Sequence, residues 1–168
     1  MRVYVPATLA MLQTLVADRS INAVNGTAFA VTPALRESYS DGDDDELAEV
    51  ALREAALASV RLLAGAADDG PSDLPARRAV LVAEVDGVKP RPDLDDAVVR
   101  LSGPVGYDQV VAAYVDNQAA ETAVKAALDA VDAADLGDED AELTVGDAQD
   151  HDLAWYATQE LPFLLDLL

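Results

Sequence analysis

Ala79-Val80-Leu81-Val82-Ala83-Glu84-Val85 is nearly continuous in apolar residues. A short run of this kind, rich in β-branched side chains, reads as a strand buried on both faces. A strand covered on both faces implies a sheet with helices packed against it, and the rest of the chain supplies the parts. Upstream, Arg2 to Pro6 reads as a strand with Val3 and Val5 on one face and Tyr4 on the other. Thr8 caps a helix carrying Leu9, Leu12, Leu15 and Val16 at helical spacing, and Asn22, Asn25 and Gly26 mark a turn. Thr27 to Val31 is a second β-prone run. Thr32-Pro33 then opens a short helix, with Thr as cap and Pro at the first helical position. After the acidic turn from Ser40 to Asp45, Asp43 caps a long helix from about Asp44 to Ala64, ended by Gly65. Residues 66–76 have loop composition.

Downstream, Gly87, Pro90 and Pro92 make residues 87–96 the candidate linker. Ala97 to Leu101 reads as a strand, Ser102 to Gly106 as a turn, and Tyr107 to Gln109 as a helical turn. Val111 to Val115 is another strand. Asp116 or Asn117 caps a helix with Ala120, Val124, Ala127, Leu128 and Val131 on one stripe. Beyond an acidic loop from Asp135 to Asp140, the alternation of Glu142 to Val145 predicts a half-buried strand. Asp150 onward predicts a C-terminal helix through Gln159, and residues 161–168 form an apolar tail.

The expected fold is therefore α/β (or α+β), a single domain over 1–168. Two halves, 1–86 and 97–147, share the order strand, short helix, strand, capped helix, strand, and residues 148–168 follow as helix and tail. Any alternating chain shows some such order. Two βαβαβ-like halves would form one sheet, or two facing sheets, with helices outside.

Charge bounds the function. Thirty-two acids face eleven bases, giving a formal net charge of −21. Such a surface repels nucleic-acid phosphates and anionic membranes, and it steers basic partners. Solubility alone also accounts for it. With no cysteine, thiol chemistry and disulfides are excluded. The start, Met1-Arg2-Val3-Tyr4-Val5-Pro6, lacks the basic and apolar regions of a secretory signal, and no stretch is apolar enough to span a membrane. The expected location is cytoplasmic.

Tests for chemistry return little. Asp41, Asp43 and Asp45 stand at positions 1, 3 and 5 of a calcium loop, but Glu46 and Leu52 occupy the places of its glycine and its bidentate glutamate. His151 is the single histidine, so multi-histidine and Cys/His metal sites are excluded. None of Ser20, Ser38, Ser40, Ser59, Ser72 and Ser102 sits in a nucleophile elbow. Ser102-Gly103-Pro104-Val105-Gly106 lacks both the dinucleotide glycine spacing and a phosphate-loop lysine. No catalytic residue, metal or cofactor is assigned.

The residues open to a functional reading are Arg36, Glu37 and Tyr39, then Trp155, Tyr156, Gln159, Glu160, Phe163 and Leu164. Trp155 and Tyr156 either dock the last helix on the sheet or, with the apolar tail, form a partner or dimer surface. The leading expectation is a non-enzymatic interaction or regulatory module with an acidic surface. It would bind a protein partner of basic character, or a second copy through the C-terminal segment. The alternatives are a small-molecule binder or enzyme with a pocket between the halves, and a nucleic-acid mimic that fills a basic groove.

Three segments also carry a resemblance. They are Met1-Arg2-Val3-Tyr4-Val5-Pro6, then Gly26-Thr27-Ala28-Phe29-Ala30-Val31-Thr32-Pro33-Ala34-Leu35-Arg36-Glu37, and Trp155-Tyr156-Ala157-Thr158-Gln159-Glu160-Leu161. Through them the chain resembles a small family of actinobacterial proteins classed only as a domain of unknown function. The resemblance implies a cytoplasmic bacterial protein. It brings no reaction and no site residues.

Overall fold

In the computed structural model, which describes residues 1–39, 41–67 and 73–168, the apolar run at 79–85 forms the middle of a sheet. β4 (Ala79–Glu84) lies between β1 (Arg2–Ala7) and β8 (Val110–Val115). The sheet has seven strands in the order β5-β6-β3-β1-β4-β8-β9, and every pairing is antiparallel. Its other members are β3 (Thr27–Phe29), β5 (Lys89–Pro90), β6 (Val98–Arg100) and β9 (Ala154–Ala157). A separate two-stranded ribbon joins β2 (Ser20–Ile21) to β7 (Val105–Gly106). Strand periodicity divides the core between the two faces. Ala79, Leu81 and Ala83 of β4 pack with Val3, Val5 and α1 (Leu9–Asp18), while Val80 and Val82 pack with Tyr4, Phe29 and α3 (Asp44–Ala67). The mixed α/β arrangement, with helices on a sheet and a helix at the C-terminus, is the expected one.

Several local expectations hold in atomic detail. Thr8 Oγ1 accepts from the Met11 amide, Thr32 Oγ1 from the Leu35 amide, and Asp43 Oδ1 from the Glu46 amide, which caps α1, α2 (Pro33–Ser38) and α3. α3 lies close over β1 because its buried stripe is built of small residues, Ala51, Ala55, Ala56 and Ser59. Ser59 is fully buried; its hydroxyl donates to the Ala7 carbonyl at 2.6 Å and accepts from the Ala79 amide at 3.1 Å. Gly65 does not stop α3, which continues to Ala67. A glycine inside a helix costs only about 1 kcal/mol relative to alanine, and its neighbours here are alanines. Ser40, Ser72 and the 68–72 part of the expected 66–76 loop lie outside the described residues.

The second half departs from the sequence reading in four places. Residues 139–149 are helical, not the expected strand at Glu142 to Val145. α5 (Glu139–Gln149) is capped by Asp138, whose Oδ1 accepts from the Ala141 amide at 2.9 Å, and it buries Ala141, Val145 and Ala148. Leu143, half of the apparent alternation, points to solvent at 69% exposure. α4 (Glu121–Asp135) supplies the facing stripe, Val124, Ala127 and Val131, and α5 and Val60 of α3 close on it. The expected helix from Asp150 through Gln159 is instead β9 followed by a 3₁₀ turn at Thr158–Glu160. Of the two expected caps, Asp116 is instead buried against Arg78, and Asn117 stands at the N-cap of the 3₁₀ turn Gln118–Ala120 that leads into α4, without a side-chain cap bond. Residues 87–96, read as a linker, place β5 on the sheet, with Lys89 opposite Arg100 and Pro90 opposite Val99.

Candidate functional site

The two edges of the sheet are unlike. β5 is a two-residue strand of lysine and proline, and such short, charged, proline-bearing strands resist further pairing. β9 at the other edge carries Trp155, 57% exposed, and Tyr156. In the β8 register Tyr114 stands opposite Trp155 and Ala113 opposite Tyr156. Side chains alternate across a strand, so the two aromatics part company. Tyr156 packs into the α1-side core, and Trp155 projects on the α3 side. The expectation that these residues dock the C-terminal segment on the sheet fits Tyr156 alone.

Glu160 manages this edge. Its Oε1 accepts from the Ala157 amide at 2.8 Å, so that amide does not face β8. Amides along an antiparallel strand alternate between the two sides. Trp155, two residues away, therefore turns its N–H and C=O outward as well. Thr158 anchors the end of the strand, its hydroxyl donating to the Val110 carbonyl at 2.8 Å, and the Tyr107 hydroxyl donates to the Thr158 carbonyl at 3.1 Å. α6 (Leu161–Asp166) follows directly, with Pro162 in its first turn. Leu161 and Leu164 are buried against the α1-side core, whereas Phe163 and Leu167 are 73% and 85% exposed. Leu164 is therefore a core residue and not part of a docking surface, a correction that follows from its i, i+3 relation to Leu161 on the inner face. No lysine or arginine follows Lys125 in the chain, so the flanking charges, Asp150, Asp152, Glu160 and Asp166, meet no base of their own segment.

Arg36 and Tyr39 lie elsewhere. Arg36 pairs with Asp44 and lines a cleft of about 850 Å³ between the first turns of α3 and the Asp152-Leu153 approach to β9. Tyr39, 47% exposed, borders a different groove with Ser38, Glu54 and Asp96. Neither joins Trp155, Phe163 or Glu160 in one site.

The sequence reading missed the group that fixes where β9 begins. Arg78 and Asp116 follow one another across the pairing of Ala79 with Val115, at the ends of β4 and β8. Both are buried, with 2% and 0% of their side chains exposed. Arg78 Nε donates to Asp116 Oδ2 at 2.9 Å and Nη2 to Oδ1 at 2.8 Å; the Arg78 amide donates to the same carboxylate at 2.8 Å. The remaining donors reach into the α5–β9 connection, Nη1 to Gln149 Oε1 at 3.0 Å and Nη2 to the His151 carbonyl at 2.7 Å. The single histidine thus contributes its backbone. The available signal was two opposite charges, each abutting an apolar strand. It becomes legible only when those strands are known to be neighbours.

The model of a family of unknown function, DUF6912, matches residues 1–165, and the chain belongs to that family. No curated protein and no solved structure matches it.

Proposed function

We propose that this member of the family is a non-enzymatic protein-interaction module that takes an extended, basic segment of a partner along the open edge of β9. The observation that carries the reading is the asymmetry of the sheet. One edge is closed by Lys89 and Pro90, and the other presents outward backbone groups at Trp155, with the exposed Trp155 ring on the α3 side of the sheet and the exposed Phe163 ring on α6, which packs on the α1 side. Strand addition to such an edge uses main-chain hydrogen bonds for affinity and neighbouring side chains for specificity. Charge selects the partner. A second copy, itself of net charge −21, would bring the same carboxylates against these, whereas a basic segment meets Asp150, Asp152, Glu160 and Asp166 with opposite sign. In this reading the encounter takes place in the bacterial cytoplasm. Among the described residues no helix is long and apolar enough to cross a membrane.

Removing residues 161–168 would be a poor test, because Leu161 and Leu164 belong to the core and their loss destabilises the fold. Trp155→Ala/Phe163→Ala alters exposed positions and leaves the core intact. Affinity capture with the tagged full chain from its own cells should retain a basic protein, lose it in the double variant, and weaken as salt is added. Capture that ignores both the substitutions and the salt would sink the reading.

A further inference from the structure

The cleft that Arg36 borders carries an inference independent of the β9 edge. Its volume of about 850 Å³ lies in the size range of small-molecule sites. It is lined from both parts of the chain, by α3 and the first residues on one side and by Tyr114, Asp152 and Leu153 on the other. The floor is aromatic. Tyr4 of β1 and Tyr114 of β8 project from the same face of the sheet, on either side of Val80 and Val82 of β4. Tyr4 is 8% exposed and lines the cleft; its hydroxyl makes no hydrogen bond among the described residues and is not sealed from solvent. Burial, followed by the neighbouring Tyr114, pushes the Tyr4 phenol above its ordinary value, so it stays neutral and able to donate.

The charges of the cleft are not balanced. Each cation on it already has a partner: Arg36 pairs with Asp44, Arg2 Nε donates to Glu84 at 2.8 Å, and the Met1 amine donates to the Val85 carbonyl at 2.9 Å. On the rim, Asp45, Glu49 and Asp152 form no ion pair among the described residues. An anion entering here meets these carboxylates and no unpaired base among the cleft's own lining residues; Arg53, one turn beyond Glu49, lines the adjoining pocket that shares Glu49, Asp152 and Leu153. A cation meets those carboxylates and two lining tyrosines, residues whose rings can attract positive charge. Leu52 and Leu153 add apolar wall, which a bare metal ion would not use.

We propose that the cleft binds a small organic cation, an amine or guanidinium on an apolar body. The charge sits over Tyr4 and Tyr114 toward Glu49 and Asp152, and the body rests on Leu52 and Leu153.

Three probes of like size and different charge test this: protonated 2-phenylethylamine, neutral 2-phenylethanol and anionic 3-phenylpropionate, each titrated into the labelled full chain and followed by NMR. The amine should give saturable shifts at Tyr4, Tyr114, Leu52 and Leu153 at concentrations up to about 10 mM. The alcohol should bind more weakly, and the propionate should not bind. Glu49→Gln, an exposed substitution that leaves the fold intact, should weaken the amine about threefold to tenfold, and Tyr114→Leu should do the same. Any of four results overturns the proposal: equal binding of the three probes, preference for the propionate, amine shifts spread unsaturably over the acidic surface, or an affinity unchanged by both substitutions. Magnesium ion giving the same saturable shifts at Tyr4 and Tyr114 would also overturn it, since charge alone would then suffice.

Discussion

Arg78→Met removes the cation from an ion pair buried almost completely, at 2% and 0% side-chain exposure. Four side-chain hydrogen bonds go with it, two to Asp116, one to Gln149 and one to the His151 carbonyl. Asp116 keeps the Arg78 amide as a donor, so its carboxylate remains buried with most of its compensation gone. Breaking a buried pair in this way costs about 3–5 kcal/mol. In a chain of this length each kcal/mol lowers Tm by about 2–4 °C, so the midpoint should fall by about 6–20 °C. Urea unfolding followed by far-UV circular dichroism supplies the free energy, and Asp116→Leu should cost a comparable amount for the opposite reason, a stranded guanidinium. The double variant Arg78→Met/Asp116→Leu strands neither charge. It should lie within about 1–3 kcal/mol of the parent, the residual cost coming from the backbone amide of residue 78, which has lost its acceptor, and from the His151 carbonyl and Gln149 Oε1, which have lost their donors. The clamp also makes a local prediction. Since Arg78 holds the connection into β9, amide exchange at Trp155 and Tyr156 should accelerate in Arg78→Met more than at Val3 to Val5 of the central β1. The reasoning is refuted if the single substitutions each cost under about 1 kcal/mol, if their costs simply add in the double variant, or if β9 and β1 amides accelerate alike.

Two further perturbations follow from local geometry. Gly87 has φ +71°, and a Cβ there would lie 2.6 Å from Ser102 Oγ and 3.3 Å from Ser102 Cβ. Gly87→Ala should therefore lose about 1–2 kcal/mol from the left-handed backbone, and Ser102→Ala in the same chain should recover only part of the loss; full recovery in urea unfolding would show that the contact, not the φ, was responsible. Glu54 is pushed above the ordinary glutamate value, by burial first and by Asp95 second. The folded chain thus holds that proton more tightly than the unfolded one, so this group's contribution to stability is present below the ordinary value and is lost as pH rises through the raised one. Glu54→Gln should gain stability on the parent at about pH 7 relative to about pH 4, and parallel urea midpoints at the two pH values would contradict the sign.

What the sequence made legible and what it hid divide on whether the deciding interaction is local. Thr8, Thr32 and Asp43 bond to amides three residues on, so residue type and spacing sufficed to place three helix starts. The apolar run at 79–85 declared a doubly covered strand because both faces of β4 are core. The second half is governed by contacts far apart in sequence. Trp155 and Tyr156 suit helix or strand equally on short-range pattern, and what settles them as β9 is the free side of β8 and the grip of Arg78 on His151, more than seventy positions away. Glu142 to Val145 alternates, yet the cap at Asp138 and the facing stripe on α4 make it helix. The same distinction explains the candidate sites. Aromatic and apolar residues at the C-terminus were visible as a group, but only the pairing register separates the exposed Trp155 from the packed Tyr156, and only the docking of α6 separates Phe163 from Leu164. The cleft was invisible for a related reason. Tyr4, Glu49, Tyr114 and Asp152 share no sequence neighbourhood, and an acidic chain offers carboxylates everywhere. The excess becomes specific where Arg2 and Arg36 are already paired and the Tyr4 hydroxyl on the cleft floor has no protein partner, a condition that belongs to the folded chain alone.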